Sequence, residues 1–168
     1  MENIKIRPAT TNDIPIIRQL ALSIFPATYK EILTPKQIDY MMDWMYSEKS
    51  LMKQMVDLNH KFYLPFVNDN PAGYLSIHQE GPDLFHLEKI YVLKDYQRCK
   101  LGKALFLHAK AMIHSFHPEP CKMELNVNRN NKALGFYQRM GMSISRQGDF
   151  PIGNGYYMND YIMSIDLE

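Results

Sequence analysis

The sequence has little cysteine, no long apolar run and almost no net charge. Its 168 residues include two cysteines, Cys99 and Cys121, which are too few for a disulfide framework. No apolar stretch reaches the roughly 20 residues needed to span a membrane. The first residues, MENIKIRPATTND, lack the apolar core of a signal peptide. We therefore expect a cytoplasmic protein whose thiols are reduced.

The charge balance excludes a further class of proteins. There are 19 basic and 18 acidic residues, which leaves a net charge of +1. Broad binding of nucleic acid or of anionic membranes usually needs a basic face. Hydrophobic residues make up 46% of the chain, a globular composition. Because a chain of this length buries about 70% of its unfolded surface, residues 1–168 are predicted to form one domain.

Hydrophobic periodicity predicts three helices after a first strand at residues 3–8. The expected helix starts are Thr10 with Asp13, Thr34-Pro35 with Gln37 reaching back to the cap, and Ser47. The later elements are strands at 61–67, 72–79 and 84–93, a helix from Leu101, a strand at 121–127, a helix from Asn130 or Asn131 to Gly141, and strands near 142–149 and 158–167. Strands that alternate with helices predict a mixed sheet with helices on both faces.

The strand at residues 84–93 is predicted to lie at the centre of the sheet. Strict alternation places Leu84, Ile90 and Val92 on one face and Phe85, Leu87 and Tyr91 on the other. A strand that is apolar on both faces is covered on both sides. Glu88 interrupts this pattern, and a buried carboxylate is costly unless it is paired or used.

A tight basic loop joins this strand to the next helix. In the segment EKIYVLKDYQRCKLGKAL the cations are Lys94, Arg98, Lys100 and Lys103. The helix start presents free N–H groups and the positive end of its dipole, and Gly102 lets the backbone approach a ligand closely. These features suit a pyrophosphate. A solvated turn between a strand and a helix explains them equally well.

The second informative segment is NNKALGFYQRMGM, residues 130–142. Ala133, Phe136, Tyr137 and Met140 share one helical face. Gly141 suits the left-handed conformation that ends a helix. Taken alone, the pattern predicts that Tyr137 is a core aromatic residue whose hydroxyl is satisfied.

Together, the two segments resemble the GNAT superfamily of acyl-CoA-dependent N-acetyltransferases. Members carry Gln/Arg-x-x-Gly-x-Gly/Ala between a strand and a helix, and this chain has Gln97-Arg98-Cys99-Lys100-Leu101-Gly102. Members also carry Asn-x-x-Ala-x-x-Phe/Leu-Tyr-x-x-x-Gly-Phe, and this chain has NNKALGFY at 130–137 followed by Gly141-Met142. The resemblance implies an α/β (α+β) fold with a mixed, mostly antiparallel central sheet of about seven strands and helices on both faces.

One position departs from the family pattern. Lys100 stands where the phosphate motif has its first glycine. A side chain there crowds the pyrophosphate if the loop needs a positive φ, or else contributes charge to a phosphate. The smaller departure, Met142 in place of phenylalanine, is an ordinary exchange in a core.

Within the superfamily, the segment LEKIYVLKDYQRCKLGKALF and the ending FPIGNGYYMNDYIMSIDL look most like the bacterial spermidine/spermine acetyltransferases. The resemblance implies transfer of an acetyl group from acetyl-CoA to a primary amine of a small molecule, such as a polyamine, by direct attack in a ternary complex. Two alternatives stay open. One is acetylation of a protein N-terminus or lysine, and the other is a non-catalytic acyl-CoA-binding regulatory module, which Lys100 motivates.

The resemblance also implies roles for individual residues. Glu88 is the expected base for the amine, directly or through water, although a salt bridge is an alternative role for it. Tyr137 matches the general acid for the departing thiolate, and backbone N–H groups around Val92 would stabilise charge on the thioester oxygen. Asn130 is expected to bind the pantetheine arm or to cap its helix. Acetyl-CoA is expected against Ile90, Tyr91, Val92, Gln97, Arg98, Cys99, Lys100, Leu101, Gly102, Lys103, Asn130, Ala133 and Tyr137.

The acceptor is expected between the first two helices and the last hairpin, where aromatic and acidic walls suit an alkylammonium. The candidate residues are Phe25, Tyr29, Glu88, Tyr156 and Tyr157. The segment Phe25-Pro26-Ala27-Thr28-Tyr29 is predicted to interrupt the first helix. The six histidines show no metal-ligand spacing, so no metal is expected. The expected partner is a small-molecule amine, with no nucleic acid or membrane. A homodimer is an open alternative, because exposed sheet edges often pair.

Overall fold

The computed structural model describes residues 3–168, with the backbone alone at Arg98 and Cys99. The helices are α1 (Ile14–Tyr29), α2 (Pro35–Tyr46), α3 (Glu48–Val56), α4 (Leu101–Phe116) and α5 (Leu134–Arg139). The strands are β1 (Ile4–Pro8), β2 (Lys61–Val67), β3 (Asn70–Pro71), β4 (Gly73–Gly81), β5 (Leu84–Val92), β6 (Cys121–Asn128), β7 (Ser143–Gly153) and β8 (Tyr156–Leu167). Short 3₁₀ turns cover Thr11–Asp13 and Lys94–Cys99. None of the helices described is both long and apolar enough to cross a membrane.

The described strands form one sheet with the order β1-β2-β4-β5-β6-β8-β7, and the two-residue β3 pairs with β2. Its pairings are antiparallel except that of β5 with β6. The predicted mixed, mostly antiparallel sheet of about seven strands is therefore confirmed.

Helices cover both faces of this sheet. On one face, α4 and α5 enclose a core that includes Leu105, Phe106 and Tyr137. On the other face, α1 to α3 enclose a second core that includes Phe25 and Leu51. The prediction of helices on both faces is confirmed.

Two local predictions about the helices are wrong. Helix α1 runs through Pro26 to Tyr29 without interruption. A proline inside a helix costs about 3 kcal/mol or more, and burial of Phe25 and Tyr29 on the same helix offsets this cost. At α2, Thr34 caps the helix by accepting from Gln37 N, as expected. The Gln37 side chain does not reach back, because it donates instead to Tyr157 O at 2.8 Å.

The strict alternation expected in β5 also fails. Ser76 of β4 pairs with Lys89, and the next residue, Ile77, pairs with Leu87. Glu88 is therefore an extra residue in β5, a β-bulge, and it reverses the faces beyond it. As a result Ile90 and Val92 pack in the core of α4, and Tyr91 packs in the core of α1 to α3.

Strands β5 and β6 separate in the middle of the sheet. Their parallel pairing covers Leu84, Phe85 and His86 against residues 122–124, and it ends there. The end of β5 at Val92 is bordered by Gly73 of β4 on its other side. This divergence opens the sheet next to the basic loop and the start of α4.

Candidate active site

The loop between β5 and α4 has the features of an anion site. Lys100 adopts φ 57° and ψ 26°, the left-handed conformation, directly before α4. No side chain that the structure describes caps this helix, so among the described residues the N–H groups of its first turn are open to a ligand. Gln97 Nε2 donates to Val92 O at 3.3 Å and so ties the loop to the strand end. Leu101 is fully buried and Lys103 is exposed. The side chains of Arg98 and Cys99 lie outside the described residues.

The two sequence motifs lie side by side in the fold. A Cβ on Gly102 would make ordinary contact with Phe136, so α4 and α5 pack closely at this point. Tyr137 is 8% exposed, on the same side of the sheet as α4. Burial raises the pKa of Tyr137 well above its usual value, and the neighbouring Tyr29 adds to this shift. The phenol therefore stays protonated throughout the neutral range.

The two asparagines before α5 have different roles. Asn131 Oδ1 accepts from Ala133 N at 2.9 Å and caps the turn that leads into α5. Asn130 is exposed, and its backbone N–H donates to Asn128 Oδ1. Asn131, and not Asn130, therefore supplies the cap that was expected before this helix. Gly141 has φ 100°, as its predicted helix-ending role requires.

A cleft of about 730 Å³ lies between α1 to α3 and the opened face of the sheet. Four of the five expected acceptor residues line it: Phe25, Tyr29, Glu88 and Tyr157. The fifth, Tyr156, instead packs against the ring of Tyr40 with a centroid distance of 5.2 Å. Tyr91, expected beside acetyl-CoA, also lines the cleft. The end of β5, where the thioester is expected, therefore lies next to the expected acceptor region.

Helix α2 is tied across this cleft to the last hairpin. Tyr40 Oη donates to Ile152 O at 2.6 Å, and Gln37 Nε2 donates to Tyr157 O. These contacts join elements more than 110 residues apart in sequence. They give the cleft a wall that no local sequence pattern predicts.

A buried carboxylate, Asp160, which is 2% exposed, lines the cleft. Asn126 Nδ2 donates to Asp160 Oδ2 at 3.2 Å. Burial raises the pKa of Asp160, while the Asn126 hydrogen bond and the charge of Arg129 partly oppose the rise. Burial raises the pKa of Tyr29, and the charge of Asp160 raises it further. Asp160 and Tyr29 therefore interact.

Tyr29 lies between the cleft and the segment that contains Asn131 and Tyr137. Its Oη lies 3.0 Å from Tyr91 Oη and 3.5 Å from Asn131 Nδ2. Tyr29 also influences the pKa of Tyr137. Tyr29 and Tyr91 therefore share a hydrogen-bond contact, and Asp160 and Tyr137 are near enough to interact electrostatically with Tyr29.

Glu88 also lines the cleft, among histidines. Its Oε1 is 2.9 Å from His78 Nδ1. Burial alone raises the pKa of Glu88, but the close contact with His78 and the charges of His86 and Lys89 outweigh burial and bring the pKa to about 2. Burial and the neighbouring His78 lower the pKa of His60 to about 4. Glu88 is thus an ionised cleft residue at neutral pH.

Sequence reasoning missed a buried lysine next to Glu88. Lys89 is 7% exposed, and its Nζ donates to Gln54 Oε1 at 2.7 Å. The ammonium also lies over the rings of Tyr46 and Phe62, 5.7 and 5.5 Å from their centroids. Burial lowers the pKa of Lys89 to about 8, against the opposing charge of Glu88. The signal that could have found it is a lysine inside an otherwise apolar strand.

Residues 30–147 match the protein family described as acetyltransferase (GNAT) domain. The chain belongs to this family. It is an acetyl-CoA-dependent N-acetyltransferase, and the Lys100 loop with the free first turn of α4 fits the phosphates of that donor.

Several proteins are similar over nearly the full chain. An uncharacterized N-acetyltransferase of Lactobacillus delbrueckii subsp. lactis is 24% identical over 162 residues, covering 92% of each chain. A spermidine N(1)-acetyltransferase of Thermoplasma acidophilum is 21% identical, covering 84% of this chain and 89% of its own. The crystal structure of the PaiA N-acetyltransferase of Thermoplasma acidophilum, in complex with coenzyme A, superposes with a TM-score of 0.79. It is 22% identical, and the match covers 96% of this chain and 98% of that one.

Proposed function

We propose that this acetyltransferase acts on a primary amine of a small molecule, and that the amine attacks the acetyl thioester directly in a ternary complex. The observation that carries the proposal is the bounded cleft of about 730 Å³ beside the divergent strands. Its walls include α2, which Gln37 and Tyr40 tie to the last hairpin. A walled cleft of this size suits a small amine. A protein N-terminus or lysine, the alternative acceptor, calls for an open peptide groove.

A polyamine is the small amine that we favour. The cleft is lined by the carboxylates Asp43, Glu80, Glu88 and Asp160, together with several aromatic rings. Both kinds of group attract alkylammonium ions. The similarity to a spermidine N(1)-acetyltransferase supports the same class. Three lysines also line the cleft, so an acceptor that carries a carboxylate, such as an amino acid, is the second candidate.

Acetyl-CoA supplies the activated acetyl group when it is bound. In our proposal, the backbone from Gln97 to Lys103 holds its pyrophosphate, and Asn130 and Ala133 line its pantetheine arm. Backbone groups of Ile90, Tyr91 and Val92 hold the thioester where β5 leaves β6. Support for this placement comes from the left-handed Lys100 and from the end of the β5–β6 pairing at His86.

The amine must be neutral when it attacks, so a group in the cleft must take its proton. Glu88 remains a predicted base, but a carboxylate with a pKa of about 2 holds a proton weakly at neutral pH. We propose Asp160 as the stronger candidate. It is buried, its pKa is raised, and it interacts with Tyr29, which influences Tyr137. In this scheme Glu88 attracts the ammonium into the cleft.

Tyr137 completes the proposed machinery by protonating the departing sulfur. An ordinary thiol has a pKa of about 8.5, so one correctly placed hydroxyl is sufficient help. The burial of Tyr137 next to the α4 face of β5 supports this role. Its raised pKa keeps the donor proton in place at neutral pH.

The test is to measure acetylated product by mass spectrometry from acetyl-CoA with a panel of amines. The panel contains spermidine, spermine, aminoglycosides, amino acids and short peptides, with a blank that lacks amine. Product with polyamines above the blank supports the proposal, and product with peptides alone overturns it. If no amine reacts, binding of acetyl-CoA is measured by calorimetry. Binding would show that the panel lacks the right acceptor, and no binding would show that the protein does not take acetyl-CoA.

Two further expectations stay predictions. The cytoplasmic location rests on the sequence alone. A homodimer would use a sheet edge, and β1 and β7 stand at the two ends of the strand order. Light scattering on the purified protein checks the oligomeric state.

A further inference from the structure

Strands β4 and β5 each carry a His-x-Glu segment, and the two segments lie side by side in the sheet. β4 carries His78-Gln79-Glu80, and β5 carries His86-Leu87-Glu88. His78 and His86 are direct partners across the antiparallel pair. Each histidine therefore approaches the glutamate of the other strand. His78 Nδ1 lies 2.9 Å from Glu88 Oε1, and His86 Nδ1 lies 2.5 Å from Glu80 Oε1.

A third histidine joins this cluster from outside the two strands. His60 follows the end of α3, where Asn59 has φ 57° and His60 N donates to Gln54 O at 2.8 Å. Its ring stacks on the ring of His78 with a centroid distance of 4.2 Å and an angle of 12°. The end of α3 thus holds His60 over the β4–β5 pair.

The ring nitrogens of this cluster lack the hydrogen bonds that buried polar atoms normally make. Nδ1 of His60, of His78 and of His86 is buried without a hydrogen-bond partner among the residues described. The short contacts to Glu88 and Glu80 have the distance of a hydrogen bond but not its angles. Buried polar atoms are paired in the great majority of cases, so the unpaired Nδ1 of His60, beside two histidines held only by poorly angled carboxylate contacts, suits a ligand at this place.

We propose that this cluster binds one divalent transition-metal ion of the class of Zn²⁺. His60, His78 and Glu88 offer ligand atoms that lie within 4.8 Å of one another, and so do Glu80, His86 and Glu88. Two imidazoles and a carboxylate suit zinc and its neighbours in the first transition row, with the remaining position open to water. The ion binds through His60, His78 and Glu88, and Glu80 and His86 stand beside it as further donors.

The side chains need only a small movement to close on an ion. Zinc–nitrogen and zinc–oxygen bonds are about 2.0–2.2 Å long, so ligand atoms around one tetrahedral ion lie about 3.4 Å apart. The partial exposure of His78 and Glu88, at 21% and 27% of their side chains, leaves them room to turn. Their exposed sides face the cleft, which gives the ion a path of entry.

The position of the cluster also predicts an effect on catalysis, and this part rests on the proposed function. His60, His78, Glu80, His86 and Glu88 all line the acceptor cleft. A bound ion withdraws Glu88 from the amine and adds positive charge where an ammonium would enter. Zn²⁺ is therefore expected to raise the KM for the amine and to leave the KM for acetyl-CoA unchanged.

The binding test uses the full chain and does not depend on activity. Zn²⁺ is titrated against a chromophoric chelator, and Co²⁺ is added separately to record its visible absorption bands. We expect one ion per chain for the wild type. The double variant His60→Gln/His78→Gln should bind at least about 10-fold more weakly and lose the cobalt bands. His114→Gln, which changes an exposed histidine near the end of α4, is the matched control and should bind as the wild type does.

Thermal unfolding of the metal-free proteins shows whether the double variant is folded. If it is not, the single variant Glu88→Gln serves in its place. Absence of stoichiometric binding by the wild type overturns the proposal, as does equal binding by the wild type and a folded cluster variant. Inhibition is then measured on the acetylated product itself, since free coenzyme A thiol also binds zinc. If no amine is acetylated, the proposed function fails while the binding result still decides the metal site.

Discussion

Gly73 and Tyr91 lie in such close contact that no side chain fits between them. A Cβ on Gly73 would overlap the carbonyl oxygen of Tyr91 and crowd the Cα of Val92. The φ of Gly73 is not in the left-handed region, so the glycine is required by space and not by conformation. This contact holds β4 against β5 where β5 has left β6.

Gly73→Ala is therefore expected to destabilise the fold by about 1–3 kcal/mol, since the strand ends must move apart. Acetyl transfer should fall as well, because the displaced end of β5 is the proposed thioester site. The matched control is Gly81→Ala on the same strand, where a Cβ would meet only Leu84 Cβ at 3.8 Å. Denaturant unfolding of both variants checks the prediction, and equal stability of the two would contradict it.

The left-handed backbone conformation of Lys100 is unfavourable for a residue with a side chain, by about 1–2 kcal/mol. Glycine adopts the same conformation without this cost. Lys100→Gly should raise the stability by about 1 kcal/mol. Lys103→Gly is the control, since it changes an exposed lysine in the first turn of α4 and should lower the stability by about the same amount. Thermal unfolding separates the two. A Lys100→Gly variant less stable than the wild type would show that the loop does not need the left-handed conformation.

The same variant separates the two effects considered for the Lys100 side chain. If the side chain crowds the pyrophosphate, Lys100→Gly binds acetyl-CoA more tightly than the wild type. If its charge attracts a phosphate, the variant binds more weakly. Calorimetry at two salt concentrations checks this, since a charge effect shrinks as salt increases.

Much of the fold could be predicted because its signals are local. The proline and threonine at the start of α2 and the left-handed Gly141 depend on short segments, and each occurs where the pattern indicates. The bulge at Glu88 could not be predicted, because an extra residue in a strand appears only when the partner strand is known. One bulge was enough to exchange the faces of Ile90 and Tyr91.

The candidate site divides in the same way. The Lys100 loop and Tyr137 can be proposed as site residues from the sequence, because each belongs to a motif contiguous in sequence. The histidine cluster could not be predicted, since His60, His78 and His86 meet only through strand register and the end of α3. Likewise, Gln54 meets Lys89 across 35 positions of sequence.

The Lys89–Gln54 contact should contribute to stability more than its single hydrogen bond suggests. Gln54→Ala leaves the buried ammonium of Lys89 without its oxygen acceptor, which is expected to cost about 1–3 kcal/mol or more. Gln79→Ala removes an exposed glutamine that makes hydrogen bonds to Gly81 O and Pro82 O, and should cost under about 0.5 kcal/mol. Equal losses in denaturant unfolding would show that the rings of Tyr46 and Phe62 and the charge of Glu88 stabilise Lys89 without Gln54.

The proposed role of Asp160 predicts a specific pH dependence. A base works only when it is deprotonated, so the rate should fall as the pH decreases through the pKa of Asp160, which burial raises above the ordinary value. Burial sets the direction of this shift, and the Asn126 hydrogen bond and the charge of Arg129 partly oppose it. Asp160→Asn should lower kcat by about 10²-fold or more and should remove this acid limb.

Glu88→Gln is the paired variant for the Asp160 prediction. If Glu88 only attracts the ammonium, Glu88→Gln raises the KM for the amine and keeps the acid limb. The measurement is kcat and KM across pH with the best amine. An acid limb that is kept in Asp160→Asn and lost in Glu88→Gln would instead make Glu88 the base.

Tyr137→Phe isolates the proposed proton donor with almost no change of shape. Removing the hydroxyl should lower kcat by about 10²-fold or more, because the departing thiolate then takes its proton from water. The KM for acetyl-CoA should change little, since the ring remains. Tyr63→Phe is the matched control, as Tyr63 is also buried and packs on His108 away from the cleft. Single-turnover rates with both variants decide the matter, and an unchanged rate in Tyr137→Phe would assign protonation of the thiolate to solvent.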